Sequence, residues 1–98
     1  MSRAGGEIPR AVRVRVGGRV QGVGYRYFAL RSAEACGVTG FVRNLDDGSV
    51  EVRARGAREA LESFLDSLRM GPRTSRVSEF DVLEIEDPEE FHGFGVRY

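Results

Sequence analysis

The sequence predicts an α+β protein in which two helices cover one face of an antiparallel sheet. Apolar and charged residues alternate in several short segments, which is typical of strands with one buried face. Two longer segments instead carry apolar residues at helical spacing. The predicted order is βαββαβ followed by a short last strand, and 98 residues are enough for one domain with one core.

The first nine residues and the first strand differ sharply in character. Residues 1–9 are polar and glycine-bearing, so we expect a flexible N-terminal tail. Valine alternates with arginine over residues 12–16, which predicts a strand with one buried face. We therefore expect a single domain over residues 10–98.

A helix and a hairpin follow. Apolar or small residues recur at helical spacing over residues 25–36, and Gly37 suits the C-terminal cap. Residues 41–45 and 50–54 are predicted strands, and the Asp-Gly pair in the turn between them is a strong hairpin signal.

The second half of the chain contains a helix and two strands. An amphipathic stripe over residues 57–68 predicts a helix that ends at the following Gly-Pro pair. Residues 77–85 form a predicted strand whose alternation changes phase near Val82 and Leu83, which suggests a bulge there. Alternating apolar residues over 94–98 predict the short last strand.

This order of elements is most simply satisfied by a ferredoxin-like sandwich. In that topology the first and second strands run parallel, with the third between them, so their C-terminal ends share one edge. The glycine-rich loop after the first strand should therefore lie near Asn44, at the end of the second.

Composition excludes several classes of function. The 15 basic and 15 acidic residues balance, which argues against a general nucleic-acid or membrane binder. The single cysteine cannot form an internal disulfide, and no secretory apolar segment is present, so we expect a cytoplasmic protein. No apolar run approaches the about 20 residues that span a bilayer.

The loop before the first helix is predicted to bind an anion. No Ser, Thr, Asp or Asn caps that helix, so its first N–H groups lack a side-chain partner. Gly22 and Gly24 let the backbone curl so that these groups converge on an anion, and Arg26 adds a planar fork that fits phosphate oxygens. A glycine-rich turn can also be only a turn. The segment lacks the features of a nucleotide P-loop and of a dinucleotide fingerprint.

Four segments match the motifs of a known family. They are residues 18–26 (GRVQGVGYR), 40–44 (GFVRN), 47–51 (DGSVE) and 94–98 (FGVRY). On these segments the chain resembles the acylphosphatase family, and the likeness extends over about residues 10–98. The first segment is the specific signature, and the others support it.

The resemblance implies a function and a set of site residues. Members of the family hydrolyse the carboxyl–phosphate bond of acyl phosphates without a metal, and no cofactor is implied. Arg26 matches the phosphate-binding arginine and Asn44 the asparagine that holds the attacking water. The phosphate cradle is implied to be the backbone of Gln21, Gly22, Val23, Gly24, Tyr25 and Arg26. We expect a monomer that acts on a small acyl phosphate and binds no nucleic acid or membrane.

Other residues have simpler interpretations. Asn44 by itself would be a turn residue, and Arg19 and Arg43 are expected to be solvated. We expect Cys36 to lie in the core and His92 on the surface.

Two alternative functions remain open. The first is a binding module that senses an anion without chemistry, which would not need a held water at Asn44. The second is RNA binding, since residues 92–98 look like an incomplete RNA-recognition motif. That segment lacks the leading cation and one aromatic, and it falls on the last strand rather than the third.

Overall fold

Within residues 9–86 and 91–98, which the computed structural model describes, the chain forms five strands and two helices. In chain order they are β1 (Arg10–Arg19), α1 (Tyr25–Cys36), β2 (Thr39–Asn44), β3 (Val50–Gly56), α2 (Arg58–Met70), β4 (Arg76–Ile85) and β5 (Phe94–Arg97). The predicted tail, residues 1–9, lies outside the described residues except for Pro9, so its flexibility stays a prediction.

The strands form one sheet in the order β4-β1-β3-β2-β5. β1 and β2 are both antiparallel to the central β3, so they run parallel to each other, as the sequence predicts. β5 pairs in parallel with β2, which makes the sheet mixed rather than wholly antiparallel. The difference arises because the chain leaves β4 at one edge and returns at the opposite edge in the direction of β2.

The core lies between this sheet and the two helices. Strand valines alternate inward and meet Tyr25, Ala29 and Ala33 of α1 and Leu61, Phe64 and Leu68 of α2. The inward strand residues include Val12, Val14, Val16, Val42, Val50 and Val52. The ferredoxin-like α+β sandwich that the alternation predicts is therefore confirmed.

The predicted bulge in β4 is at the wrong place. Val82 and Leu83 pair in regular register with Val14 and Arg13. The irregularity lies near the start of the strand, where Ser78 is skipped between the pairs Gly17–Glu79 and Gly18–Val77. β4 is an edge strand, and Val82 and Leu83 are 42% and 59% exposed, so its apolar pattern is not imposed by burial on one face.

The apolar stripe of α1 divides into two faces. Tyr25, Ala29 and Ala33 enter the core. The other members of the stripe, Phe28, Ser32 and Cys36, are only partly buried. Cys36 packs against the core without being enclosed by it, which corrects the expectation that it is a core residue.

A buried carboxylate lies on the sheet face opposite the helices. Glu51 of β3 is 1% exposed, and its oxygens accept from Nε of Arg13 at 2.6 Å and Nε of Arg43 at 2.5 Å. Arg53 Nε lies 3.5 Å away. Burial opposes ionisation of Glu51, but the hydrogen bonds from Arg43 and Arg13 outweigh it and lower its pKa. Arg43, expected to be solvated, is ion-paired because its register on β2 places it opposite Glu51.

We expect the E51Q variant to lose about 1.5–3 kcal/mol in free energy of unfolding at neutral pH, since hydrogen bonds to a charged group are removed from a buried site. Because the folded pKa is lowered, the contribution is complete above the ordinary pKa of 4.5 and is lost as pH falls through the folded value. Urea unfolding at neutral and acid pH should therefore show the gap between E51Q and wild type narrowing in acid.

E79Q is the matched control. Glu79 lies on the same sheet face, but its side chain is 62% exposed and its oxygen is 3.5 Å from Arg15. Its substitution should change stability by no more than about 0.5 kcal/mol. Equal losses in both variants would contradict the special role of the buried carboxylate.

Candidate active site

The loop after β1, the start of α1 and the ends of β2 and β5 surround one cavity of about 260 Å³. Its lining residues are Val20, Gly22, Gly24, Tyr25, Arg26, Tyr27, Asn44, Val96 and Tyr98. Arg26 and Asn44 are therefore neighbours in space, as the parallel arrangement of β1 and β2 predicts. The predicted proximity of loop and asparagine is confirmed.

The loop is shaped by two glycines in the left-handed region. Gly22 has φ of 74° and Gly24 has φ of 84°, conformations that side chains other than glycine rarely adopt. Gly24 directly precedes α1, no side chain caps the helix, and its first turn has no acidic residue. The first N–H groups of α1 therefore have no partner within the helix, and the positive end of its dipole faces the cavity.

Hydrogen bonds from two neighbouring segments hold the loop. Gln21 Nε2 donates to the carbonyl oxygens of Leu45 at 2.7 Å and Ser49 at 2.8 Å, both beside the β2–β3 turn. Thr74 Oγ1, between α2 and β4, donates to the carbonyl oxygen of Val23 at 2.7 Å. The loop is thus fixed before any ligand arrives. Since the Gln21 side chain is used by the turn, its predicted part in the cradle rests on its backbone alone.

The first residue of α1 is anchored to the end of α2. The Tyr25 hydroxyl donates to the carbonyl oxygen of Leu68 at 2.6 Å, and the ring is 1% exposed. Burial raises the pKa of the Tyr25 phenol, so it stays a protonated donor. The hydrogen bond ties the start of α1, and with it the cavity, to the core.

Arg26 presents its charge to the cavity. Its guanidinium carbon lies 4.8 Å from the centre of the Tyr98 ring. The contact is a cation–π interaction, and the planar guanidinium carries five N–H donors that suit phosphate oxygens. In the part of the chain that the structure describes, the ion pairs are made by other arginines, so no carboxylate there neutralises Arg26.

Asn44 brings a neutral amide to the same cavity. It is the last residue of β2 and pairs in register with Val50 of β3. Its Oδ1 is buried and accepts no hydrogen bond from the described residues. Buried acceptors are normally satisfied, so an unpaired oxygen on a residue that lines the cavity marks Asn44 as a candidate functional residue.

Sequence reasoning missed four lining residues: Val20, Tyr27, Val96 and Tyr98. Val96 and Tyr98 reach the cavity because β5 runs parallel to β2 and ends at the same edge as Asn44. Knowledge of that parallel pairing would have found them. Tyr27 is 61% exposed, and its position in the helix does not predict that it lines the cavity. His92 is exposed, as expected.

These features define a class: a small α+β protein with a glycine-shaped, hydrogen-bonded loop at an uncapped helix start, beside an arginine and an asparagine. Residues 12–96 match the Acylphosphatase family. An acylphosphatase from Salinibacter ruber is 48% identical over 88 residues, covering 90% of this chain and 93% of the relative. One from Thermus thermophilus is 53% identical over 75 residues, covering 76% and 84%.

Solved structures agree with these relatives. The crystal structure of acylphosphatase from Bacillus subtilis superposes with a TM-score of 0.87 at 40% identity, covering 91% of this chain and 99% of that one. The chain belongs to the acylphosphatase family, whose members are hydrolases acting on acid anhydrides. Among residues 9–86 and 91–98, neither helix has the length and apolar character needed to cross a membrane.

Proposed function

We propose that this chain hydrolyses the carboxyl–phosphate bond of small acyl phosphates, with the phosphate held by residues 21–26 and the water by Asn44. The observation that carries the proposal is the single cavity that the two left-handed glycines, Arg26 and Asn44 share. Membership of the acylphosphatase family supports the same reaction.

The loop and Arg26 together supply the charge that the reaction needs. Phosphoryl transfer spreads negative charge over the equatorial phosphate oxygens, and donors fixed in advance lower its energy. Backbone N–H groups at the start of α1 meet the phosphate along the helix dipole, and the Arg26 fork bridges two oxygens. Because Gln21 and Thr74 already hold the loop, little reorganisation is required on binding.

Asn44 positions the water. Its neutral amide has an acceptor oxygen, which has no partner among the described residues, and a donor nitrogen, so it can orient the nucleophile without removing its proton. No histidine, aspartate or glutamate stands among the described residues that line the cavity. The substrate phosphate itself takes the proton.

The step balances without a protein acid or base. The water oxygen forms a bond to phosphorus, and the bond from phosphorus to the acyl oxygen breaks, its electron pair leaving on the carboxylate. One proton of the water passes to a phosphate oxygen, so an acyl phosphate dianion and water give a carboxylate and dihydrogen phosphate. A carboxylate is a stable leaving group that needs no proton from the enzyme.

Hydrolysis of benzoyl phosphate in the presence of EDTA tests the proposal. We expect phosphate release at the same rate with and without the chelator, and competitive inhibition by inorganic phosphate, since both ligands occupy one cradle. Binding of phosphate by calorimetry without hydrolysis of any acyl phosphate would instead identify an anion-binding module. Loss of activity in EDTA would contradict metal independence.

A further inference from the structure

A groove of about 520 Å³ lies beside the phosphate cavity and follows α1. Gly24 and Tyr27 line both the cavity and the groove, so the two adjoin at these residues. The remaining lining residues are Phe28, Arg31, Ser32, Ala35 and Cys36 of α1, and Ser67 and Pro72 at the end of α2. We refer to this space as the α1–α2 groove.

The walls of the α1–α2 groove are mainly apolar. Phe28, Ala35, Cys36 and Pro72 offer carbon and sulfur surfaces, and the ring of Tyr27 is 61% exposed at the entrance. The guanidinium carbon of Arg31 lies 5.7 Å from the centre of that ring. The volume of the α1–α2 groove falls within the range of small-molecule sites, about 300–1,000 Å³. The surface suits an apolar group that is attached to an anion.

The direction in which the leaving group departs favours the groove as its binding site. Phosphoryl transfer places the attacking oxygen and the leaving oxygen roughly in line across phosphorus. Asn44, which would hold the water, belongs to the sheet, whereas the groove is lined only by the helix layer and its adjoining turns. A phosphate bound at the start of α1 would lie beside the groove entrance at Gly24 and Tyr27, and a leaving group directed away from Asn44 would pass toward the helix layer.

We propose that the α1–α2 groove binds the acyl chain of the substrate and that the chain therefore prefers medium-length aliphatic acyl phosphates over acetyl phosphate. This inference rests on the proposed function, since it assigns the acyl end of the same substrate. Each methylene that is fully buried is worth about 0.8 kcal/mol, or about fourfold in binding. Because the groove is open to solvent, we expect kcat/KM for octanoyl phosphate to exceed that for acetyl phosphate by only about tenfold.

The A35W variant tests the groove by filling it. Ala35 is exposed on α1, so the larger ring has room outside the core. We expect A35W to lower the ratio of kcat/KM for octanoyl phosphate to that for acetyl phosphate by about tenfold. E34W is the matched control, because Glu34 is the exposed neighbour on the same helix and does not line the groove. Its ratio should equal that of wild type.

Labelling of Cys36 in the wild-type protein gives a second measurement that needs no variant to fold. Cys36 is a free, partly exposed thiol in the groove. Octanoate together with inorganic phosphate should slow its alkylation severalfold, whereas acetate with inorganic phosphate should leave the rate unchanged. If alkylation instead becomes slower as the protein concentration rises and does not respond to octanoate, a second copy of the chain covers the groove. That result would overturn the proposal.

The outcomes separate the two proposals. If wild type hydrolyses both substrates but A35W and E34W show the same ratio, the groove inference fails and the proposed function stands. Equal alkylation with octanoate and acetate would overturn the groove inference as well. If wild type hydrolyses neither acyl phosphate, the proposed function fails, and the groove inference falls with it.

Discussion

R26A should lose at least about 10²–10³ in kcat/KM for benzoyl phosphate, the largest effect that we expect from any single substitution. Removal of one fixed donor to transition-state charge typically has this effect, and Arg26 is placed to supply two hydrogen bonds and a full charge. The loop N–H groups remain in R26A, so its inhibition constant for inorganic phosphate should rise but stay measurable. Steady-state kinetics with phosphate as competitor measures both effects.

Two variants separate the geometry of Arg26 from its charge. R26K keeps the charge but loses the planar fork, so its activity should fall between those of wild type and R26A. R19A removes the same charge from the exposed end of β1, outside the cavity, and should stay within a few-fold of wild type. Wild-type rates in R26A, or equal losses in R19A and R26A, would refute the role of Arg26.

N44A should lower kcat by about 10²–10³ while the inhibition constant for inorganic phosphate changes little. The proposed cradle lies on the loop and α1, so phosphate binding should not require the amide of Asn44. The substitution removes a buried oxygen that has no partner among the described residues, so thermal stability should be kept or slightly raised. Kinetics, phosphate inhibition and a thermal melt together distinguish a water-positioning residue from a structural one.

The control for Asn44 lies in the adjoining turn. Asp46 is exposed and lies outside the cavity, so D46A should retain wild-type kcat. If N44A instead lost phosphate binding together with kcat, Asn44 would belong to the cradle. If N44A melted well below wild type, its oxygen would have a structural partner.

Local elements were predictable because their signals are local. α1 begins and ends where the helical spacing and Gly37 predict, and the Gly37 N–H donates to the carbonyl oxygen of Ala33. The β2–β3 turn follows from its Asp-Gly pair, with Asp47 accepting from the backbone and side chain of Ser49. These hydrogen bonds, followed by one from Arg15, lower the pKa of Asp47.

Hydrogen bonds between distant residues and the position of the β4 bulge could not be predicted from the sequence pattern. The hydrogen bond from Gln21 to Leu45 joins residues 24 apart in the sequence, and the one from Thr74 to Val23 joins residues 51 apart. Neither residue type carries a mark that predicts such a partner. The position of the bulge in β4 was wrong for a related reason: an edge strand is weakly constrained by burial, so its apolar alternation does not report its register.

The sequence by itself determined the strands and helices, the left-handed glycines before α1 and the uncapped helix start, because each depends on the conformational preferences of a few adjacent residues. It also placed Arg26 beside that loop. Only the tertiary structure decided that Val96 and Tyr98 reach the same cavity as Asn44, and that Tyr27 lines both this cavity and the α1–α2 groove. Those contacts depend on strand order, the parallel pairing of β2 with β5 and the packing of α1 beside α2, which no local pattern encodes.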